Sequence, residues 1–147
     1  MDNKLKIVSL GYFGHLNAGD DLLQDSLCEI FSEHNILFSS WFPGIDLINQ
    51  ADLLVVGGGS IWPGHTVFQN ATSLSKKLKI PLFVLGISAK YKPTEKVLKD
   101  NIQLIKYSSL FHVRDLSSYK ILDNHPNVTK GTDLFWWSKH CSDELIS

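Results

Sequence analysis

The stretch Gly11-Tyr12-Phe13-Gly14-His15-Leu16-Asn17-Ala18-Gly19-Asp20-Asp21 lies between an apolar run over 5–10 and an amphipathic run over 22–31. Three glycines in so short a connection mean that the backbone turns tightly or lets another group come close, because glycine alone enters positive φ without a Cβ penalty. A strand, a Gly-rich turn and a helix open an α/β unit in which ligands meet the helix N-terminus. Two familiar fingerprints fail, however. Gly11, Gly14 and Gly19 do not space as G-x-G-x-x-G, and after the G-x-x-x-x-G separation of Gly14 and Gly19, Asp20 and Asp21 stand where a P-loop has Lys and Ser or Thr. Nucleotide binding in the P-loop manner is not expected. Asp21 with Gln24 matches a capping box. Asp20 is open to either a capping or a catalytic role.

Working outward, the run over 5–10 is short, apolar and closed by glycine, as in a buried strand. Leu23, Leu27, Ile30 and Phe31 recur on one helical face, with Cys28 beside it read as a buried, inert thiol. A second strand is expected over 35–40, ended by Trp41-Phe42-Pro43-Gly44, and a helical turn over 46–51. The other diagnostic stretch is Asp52-Leu53-Leu54-Val55-Val56-Gly57-Gly58-Gly59-Ser60, an apolar strand running into three glycines. We read Gly57, Gly58, Gly59 and Ser60 as a ligand-facing loop whose free N–H groups form an anion nest, continued by 61–65; the bland alternative is a tight strand-to-helix crossing. Val67, Ala71, Leu74 and Leu78 then predict one helix face. A strand over 81–86 starts with its proline. A helix follows with Pro93 in its first turn and Leu98, Ile102 and Ile105 inward. Leu110 to Val113 forms a fifth strand, a brief helix reaches Ile121 and Leu122, and 127–130 gives a weak sixth strand.

This alternation predicts an α/β fold: a Rossmann-like doubly wound, mostly parallel sheet of about six strands in a single domain over 1–137, with a C-terminal tail over 138–147. The distinctive polar and glycine clusters then fall beyond the carboxyl ends of the strands, where open α/β sheets bind ligands. The first strand is expected to be central, with the loops over 11–21 and 57–65 side by side.

Composition sets the outer limits. The chain has 147 residues, 44% hydrophobic and 20% charged, and a formal net charge of -1, so it makes no electrostatic case for nucleic acid. Cys28 and Cys141 make neither a disulfide framework nor a metal-ligand spacing, which points to a reducing, cytoplasmic setting. No apolar run reaches the ~18 to 20 residues of a membrane span. No metal site and no cofactor is expected.

The motifs together resemble the amino-terminal half of the polysaccharide pyruvyl transferase family. The resemblance rests on Gly11-Tyr12-Phe13-Gly14 with Asn17-x-Gly19-Asp20, Ala51-Asp52 running to Gly57-Gly58-Gly59, Leu85-Gly86-Ile87, Val113-Arg114-Asp115 with Ser118, and Asp133. It implies two Rossmann-like halves facing across a cleft, as in B-type glycosyltransferases. The implied reaction transfers pyruvyl from phosphoenolpyruvate to a hydroxyl pair on a glycan acceptor, with no metal or tightly held cofactor. Members are roughly twice this length, so activity would need a second chain or a homodimer to complete the cleft. Two alternatives are a sugar-nucleotide glycosyltransferase-like domain and a non-catalytic binding module.

The candidate binding residues are Gly11, Gly14, Asn17, Gly19, Gly57, Gly58, Gly59, Ser60, Ser88 and Arg114; the catalytic candidates are Asp20, His15 and His65. Arg114 is the chain's one arginine. A guanidinium suits bidentate capture of carboxylate or phosphate, although its neighbour Asp115 leaves a loop-tying role equally open. His15 and His65 sit in the Gly-rich loops within reach of acid or base work, set against the plainer role of surface histidines. His112 lies within a strand and reads as structural. Phe135-Trp136-Trp137 closes the core or forms a docking surface.

Overall fold

A computed structural model describes residues 4–11, 18–89, 91–122 and 125–131, with the backbone alone for 18–22. Among the described residues six strands form a single sheet: β1 (Lys6–Leu10), β2 (Asn35–Ser39), β3 (Leu53–Trp62), β4 (Leu82–Ala89), β5 (Leu110–Val113) and β6 (Val128–Lys130). Every pairing is parallel and the spatial order is β2-β1-β3-β4-β5-β6. The apolar runs that suggested strands are those that parallel sheets bury on both faces. β1 is interior but not central; β3 and β4 hold the middle. The chain winds one way from β1 to β2 and the other way from β3 onward, so the switch point lies between β1 and β3.

The helices divide between the faces accordingly. Helix α1 (Ala18–Ile30) sets Leu23 and Leu27 against Ile7, Leu53, Val55 and Leu85. The opposite face carries the larger core, which takes Ile48 from α2 (Ile45–Ile48), Val67 and Phe68 from α3 (Thr66–Gln69), Ala71 and Leu74 from α4 (Ala71–Lys77), and Leu104 and Ile105 from α5 (Glu95–Tyr107). Leu122, which ends α6 (Leu116–Ile121), joins it. Each such fully buried aliphatic side chain contributes roughly 1.5 to 3 kcal/mol.

Several expectations need correction. The glycine run is strand, not loop: Gly57 pairs with Leu85, Gly59 with Ile87 and Trp62 with Ala89, the ladder slipping between Gly59 and Trp62. Gly58 and Gly59 absorb that irregularity with φ of 90° and 83°. The space beyond Gly58 is filled, since a Cβ there would lie 2.7 Å from Leu23 Cδ1. The expected single helix over 67–78 breaks at Asn70, whose side-chain amide donates to the Thr66 carbonyl at 2.7 Å and competes with the helical ladder. Helix α1 starts at Ala18, so Asp21 lies inside its first turn and is not the cap. Pro93 precedes α5, which Thr94 caps by accepting from the Val97 N–H. Cys28 is exposed, not buried.

Candidate active site at the carboxyl edge of the sheet

The register Leu10↔Val56 sets the end of β1 beside the middle of β3, which runs on to Trp62, at the switch point. The connections after the first three strands are laced there. Gly11 N–H donates to the Ser39 carbonyl at 3.2 Å, and Phe42 N–H donates to Thr66 Oγ1 at 3.1 Å. His65 lies among them as the cap of α3, its Nδ1 accepting from the Val67 N–H at 3.1 Å. An accepting Nδ1 leaves the ring proton on Nε2, which is buried and makes no well-formed hydrogen bond. Burial pushes the His65 pKa below the ordinary histidine range; the nearby carbonyls of Gly11 and Ser40 oppose this in part. His65 is therefore neutral near pH 7 and offers a donor rather than a free base.

Beyond β3 the site is shaped by Arg114 and Asp115, which follow β5. Arg114 N–H donates to the Ile87 carbonyl at 2.9 Å, fixing the backbone to β4. Its side chain then passes β4, and Nη2 donates to Ser60 Oγ on β3 at 2.9 Å. Two candidates separated by 54 residues thus meet over the strand ends.

Asp115 works as a structural hub. It caps α6, Oδ1 accepting from Ser118 N–H at 2.7 Å and from Ser117 Oγ at 3.0 Å, while Oδ2 accepts from Ser88 Oγ at 2.5 Å. Burial alone would raise its pKa, but these hydrogen bonds from Ser88, Ser118 and Ser117 outweigh it and hold the carboxyl at about 2. Ser118 Oγ also accepts from Ala89 N–H at 2.8 Å. Ser88, expected to bind substrate, thus has its hydroxyl proton committed to Asp115. Ser118 stood in the motif without a role, yet its place three residues after a capping aspartate is the signal that would have assigned one.

Buried support comes from Trp62, whose Nε1 donates to Asn101 Oδ1 at 3.2 Å, joining the end of β3 to α5. Nothing local in the sequence announces that bond. His112 lies within β5, as expected, and is buried with Nδ1 3.0 Å from Thr129 Oγ1. Gly14, His15 and Asn17 lie outside the described residues, and Gly19 and Asp20 lie in the first turn of α1. Phe135, Trp136 and Trp137 also lie outside them. Among the described residues no three His, Cys, Asp or Glu side chains gather as a metal site requires, and no helix is long and apolar enough to cross a membrane.

No curated protein and no solved structure gives a significant match. A family model described as Polysaccharide pyruvyl transferase matches residues 17–142, far more than half of the 147. The match takes in the glycine strand, the Ser60–Arg114 bridge and the Asp115 hub, and on that extent the chain belongs to the polysaccharide pyruvyl transferase family.

Proposed function

We propose that this domain forms one wall of a site that transfers pyruvyl from phosphoenolpyruvate to a pair of hydroxyls on a sugar unit of a cell-surface or extracellular polysaccharide, acting in the cytoplasm before export. The observation that carries this reading is the Arg114 guanidinium held over the sheet's carboxyl edge by Ser60. A planar, permanently charged fork suits the donor, which presents both a carboxylate and a phosphate.

The reaction makes two C–O bonds at the donor's C2 and breaks its bond to the phosphate oxygen. One hydroxyl proton ends on the donor's terminal carbon, which becomes a methyl group, and the other leaves with phosphate. A general acid for the first step and a base for the attacking hydroxyls are therefore needed. His15 and Asp20 are our acid–base candidates. His65, with its proton on Nε2, is assigned to hydrogen-bond donation at the switch point. Gly11, Gly57 and Gly59 would give backbone close approach.

A second Rossmann-like half would close over this open edge, exclude water and hold the acceptor. The decisive experiment is calorimetric titration of phosphoenolpyruvate into the wild-type chain and Arg114→Gln, followed by phosphate-release and product-mass assays with β-linked galactosyl or N-acetylmannosaminyl acceptors. Binding that Arg114→Gln abolishes supports the reading. Selective binding of a nucleoside diphosphate sugar instead would favour a glycosyltransferase-like domain.

A further inference from the structure

We infer that the outer surface of α4 and α5 is a docking face for an anionic lipid bilayer, holding the domain peripherally at a membrane surface. Charge divides sharply along this chain. Residues 7–75 hold seven acidic side chains and neither lysine nor arginine, whereas residues 76–106 hold eight lysines against Glu95 and Asp100. The fold turns that division into two faces: α1, whose sequence carries Asp20, Asp21, Asp25 and Glu29, packs on one side of the sheet, and α4 and α5 pack on the other.

The lysines gather on the outward side of this layer. On α5, Lys96, Lys99, Gln103 and Lys106 recur at i, i+3, i+7 and i+10, the side turned away from the buried Asn101, Leu104 and Ile105. Lys76, in the last turn of α4, lines with Lys99 and Lys106 a groove of about 590 Å³ between the two helices, where Asp100 is the one carboxylate in the lining. Lys76, Lys96, Lys99 and Lys106 are all exposed. Tyr107 fixes the groove, its hydroxyl lying 2.9 and 2.7 Å from the carbonyls of Leu78 and Ile80 and so tying the end of α5 to the segment after α4. Complementing the helix dipole accounts for Lys76, Lys77 and Lys106 in last turns, but not for Lys96 and Lys99.

The occupant follows from the kind of charge and its layout. Every cation here is a lysine, a point charge without the guanidinium fork that grips a single phosphate or carboxylate bidentately. Lysines spread over the width of two helices suit a broad, diffuse negative surface, and basic clusters of this size adhere to anionic headgroups. The acidic α1 side adds direction, because a domain with opposite charge on its two faces turns the positive one toward a negative plane. Helices that cross back between parallel strands run away from the carboxyl edge, so the last-turn lysines of α4 and α5 lie toward the opposite edge of the sheet. Docking there leaves the Arg114 edge uncovered and does not depend on the reaction proposed for it.

The test is cosedimentation of the purified chain with vesicles of phosphatidylcholine alone and of phosphatidylcholine mixed equally with phosphatidylglycerol, at low salt and at physiological salt, where charges are screened beyond ~8 Å. We expect binding to the mixed vesicles only, weakening as salt rises. The triple variant Lys76→Gln, Lys99→Gln, Lys106→Gln should lower the partition coefficient at least about tenfold with an unchanged far-ultraviolet spectrum. The control Lys130→Gln, on β6, should change it less than about twofold, and the matching triple arginine variant should bind as wild type does, because charge alone is read. No binding at low salt, equal binding to both vesicles, a glutamine triple that binds as wild type, or an arginine triple that does not, overturns the proposal. A firmer hold on soluble polyglutamate than on vesicles of matched charge overturns it too, and assigns the face to an acidic polypeptide.

Discussion

Arg114 follows β5 yet anchors its guanidinium on Ser60 of β3, reaching past β4 with Nη2 2.9 Å from the hydroxyl. That bridge aims a cation over the sheet edge without burying it. Arg114→Lys keeps the charge but loses the planar fork, so phosphoenolpyruvate affinity should fall by about tenfold or more. Ser60→Ala, which removes that one anchor, should cost a smaller fraction. Calorimetry reads the affinities, and thermal melts should move little, because neither side chain is buried.

Asp115 predicts a specific acid sensitivity. Its carboxyl titrates at about 2 in the fold against an ordinary 3.8, so the unfolded chain binds the proton more readily. The stability that this group adds is complete above pH ~4 and is lost as pH falls through 3.8 toward 2. Asp115→Ala removes the cap of α6 and the acceptor for Ser88, which should cost about 1 to 2 kcal/mol at pH 7. Urea midpoints at pH 7 and 3 check both points: the variant should lose less on acidification than wild type does.

His65 should behave as a second depressed group at higher pH. Its pKa lies below the ordinary 6.5, so its contribution is present above 6.5 and fades as pH falls below it. His65→Asn keeps a side-chain acceptor for the Val67 N–H but cannot titrate, so it should stay within ~0.5 kcal/mol of wild type at pH 7.5 and lose less stability between pH 6.5 and 5. A proton-detected titration of the ring assigns the shift directly.

Cys28 joins exposure to a poor thiolate. Partial desolvation of the sulfur and the Asp25 carboxylate both push its pKa up from 9.0, so an accessible thiol remains protonated near neutral pH. Alkylation at this position should be slow at pH 7 and accelerate steeply beyond pH 9. Asp25→Asn should quicken it modestly.

The strand pattern was legible because parallel strands buried on both faces read as short apolar runs, and β5 over Leu110–Val113 matches its expected bounds. The carboxyl-edge location of Ser60, Ser88 and Arg114 followed from the same alternation. What stayed hidden was set by distant partners. Glycine signals a loop locally, whereas Gly57 and Gly59 are held in strand by Leu85 and Ile87 on β4. The reach of Arg114 to Ser60 and of Trp62 to Asn101 spans 54 and 39 residues, beyond any local pattern. Asn70 ended a helix whose apolar spacing ran straight through it, because its amide and not its hydrophobicity decides the backbone there.

Gly58 offers the sharpest test of how the glycine strand works. Its φ of 90° is a conformation that L side chains rarely adopt, and its missing Cβ leaves room for Leu23, whose Cδ1, Cβ and Cγ would lie 2.7, 3.1 and 3.2 Å from an added methyl. Backbone strain of roughly 1 to 2 kcal/mol and overpacking of roughly 1 to 3 kcal/mol should both appear in Gly58→Ala, for a loss of about 2 to 5 kcal/mol. Leu23→Ala alone opens a cavity in the core beneath α1 and should cost about 2 to 5 kcal/mol. Combining them removes the Cδ1 and Cγ contacts but leaves the Cβ contact at 3.1 Å and the strain, so the double variant should be more stable than the sum predicts by at least ~1 kcal/mol. Strict additivity in urea unfolding would show that Leu23 is not the obstacle. A Gly58→Ala protein that melts like wild type yet no longer binds phosphoenolpyruvate would return this glycine to a ligand-facing role.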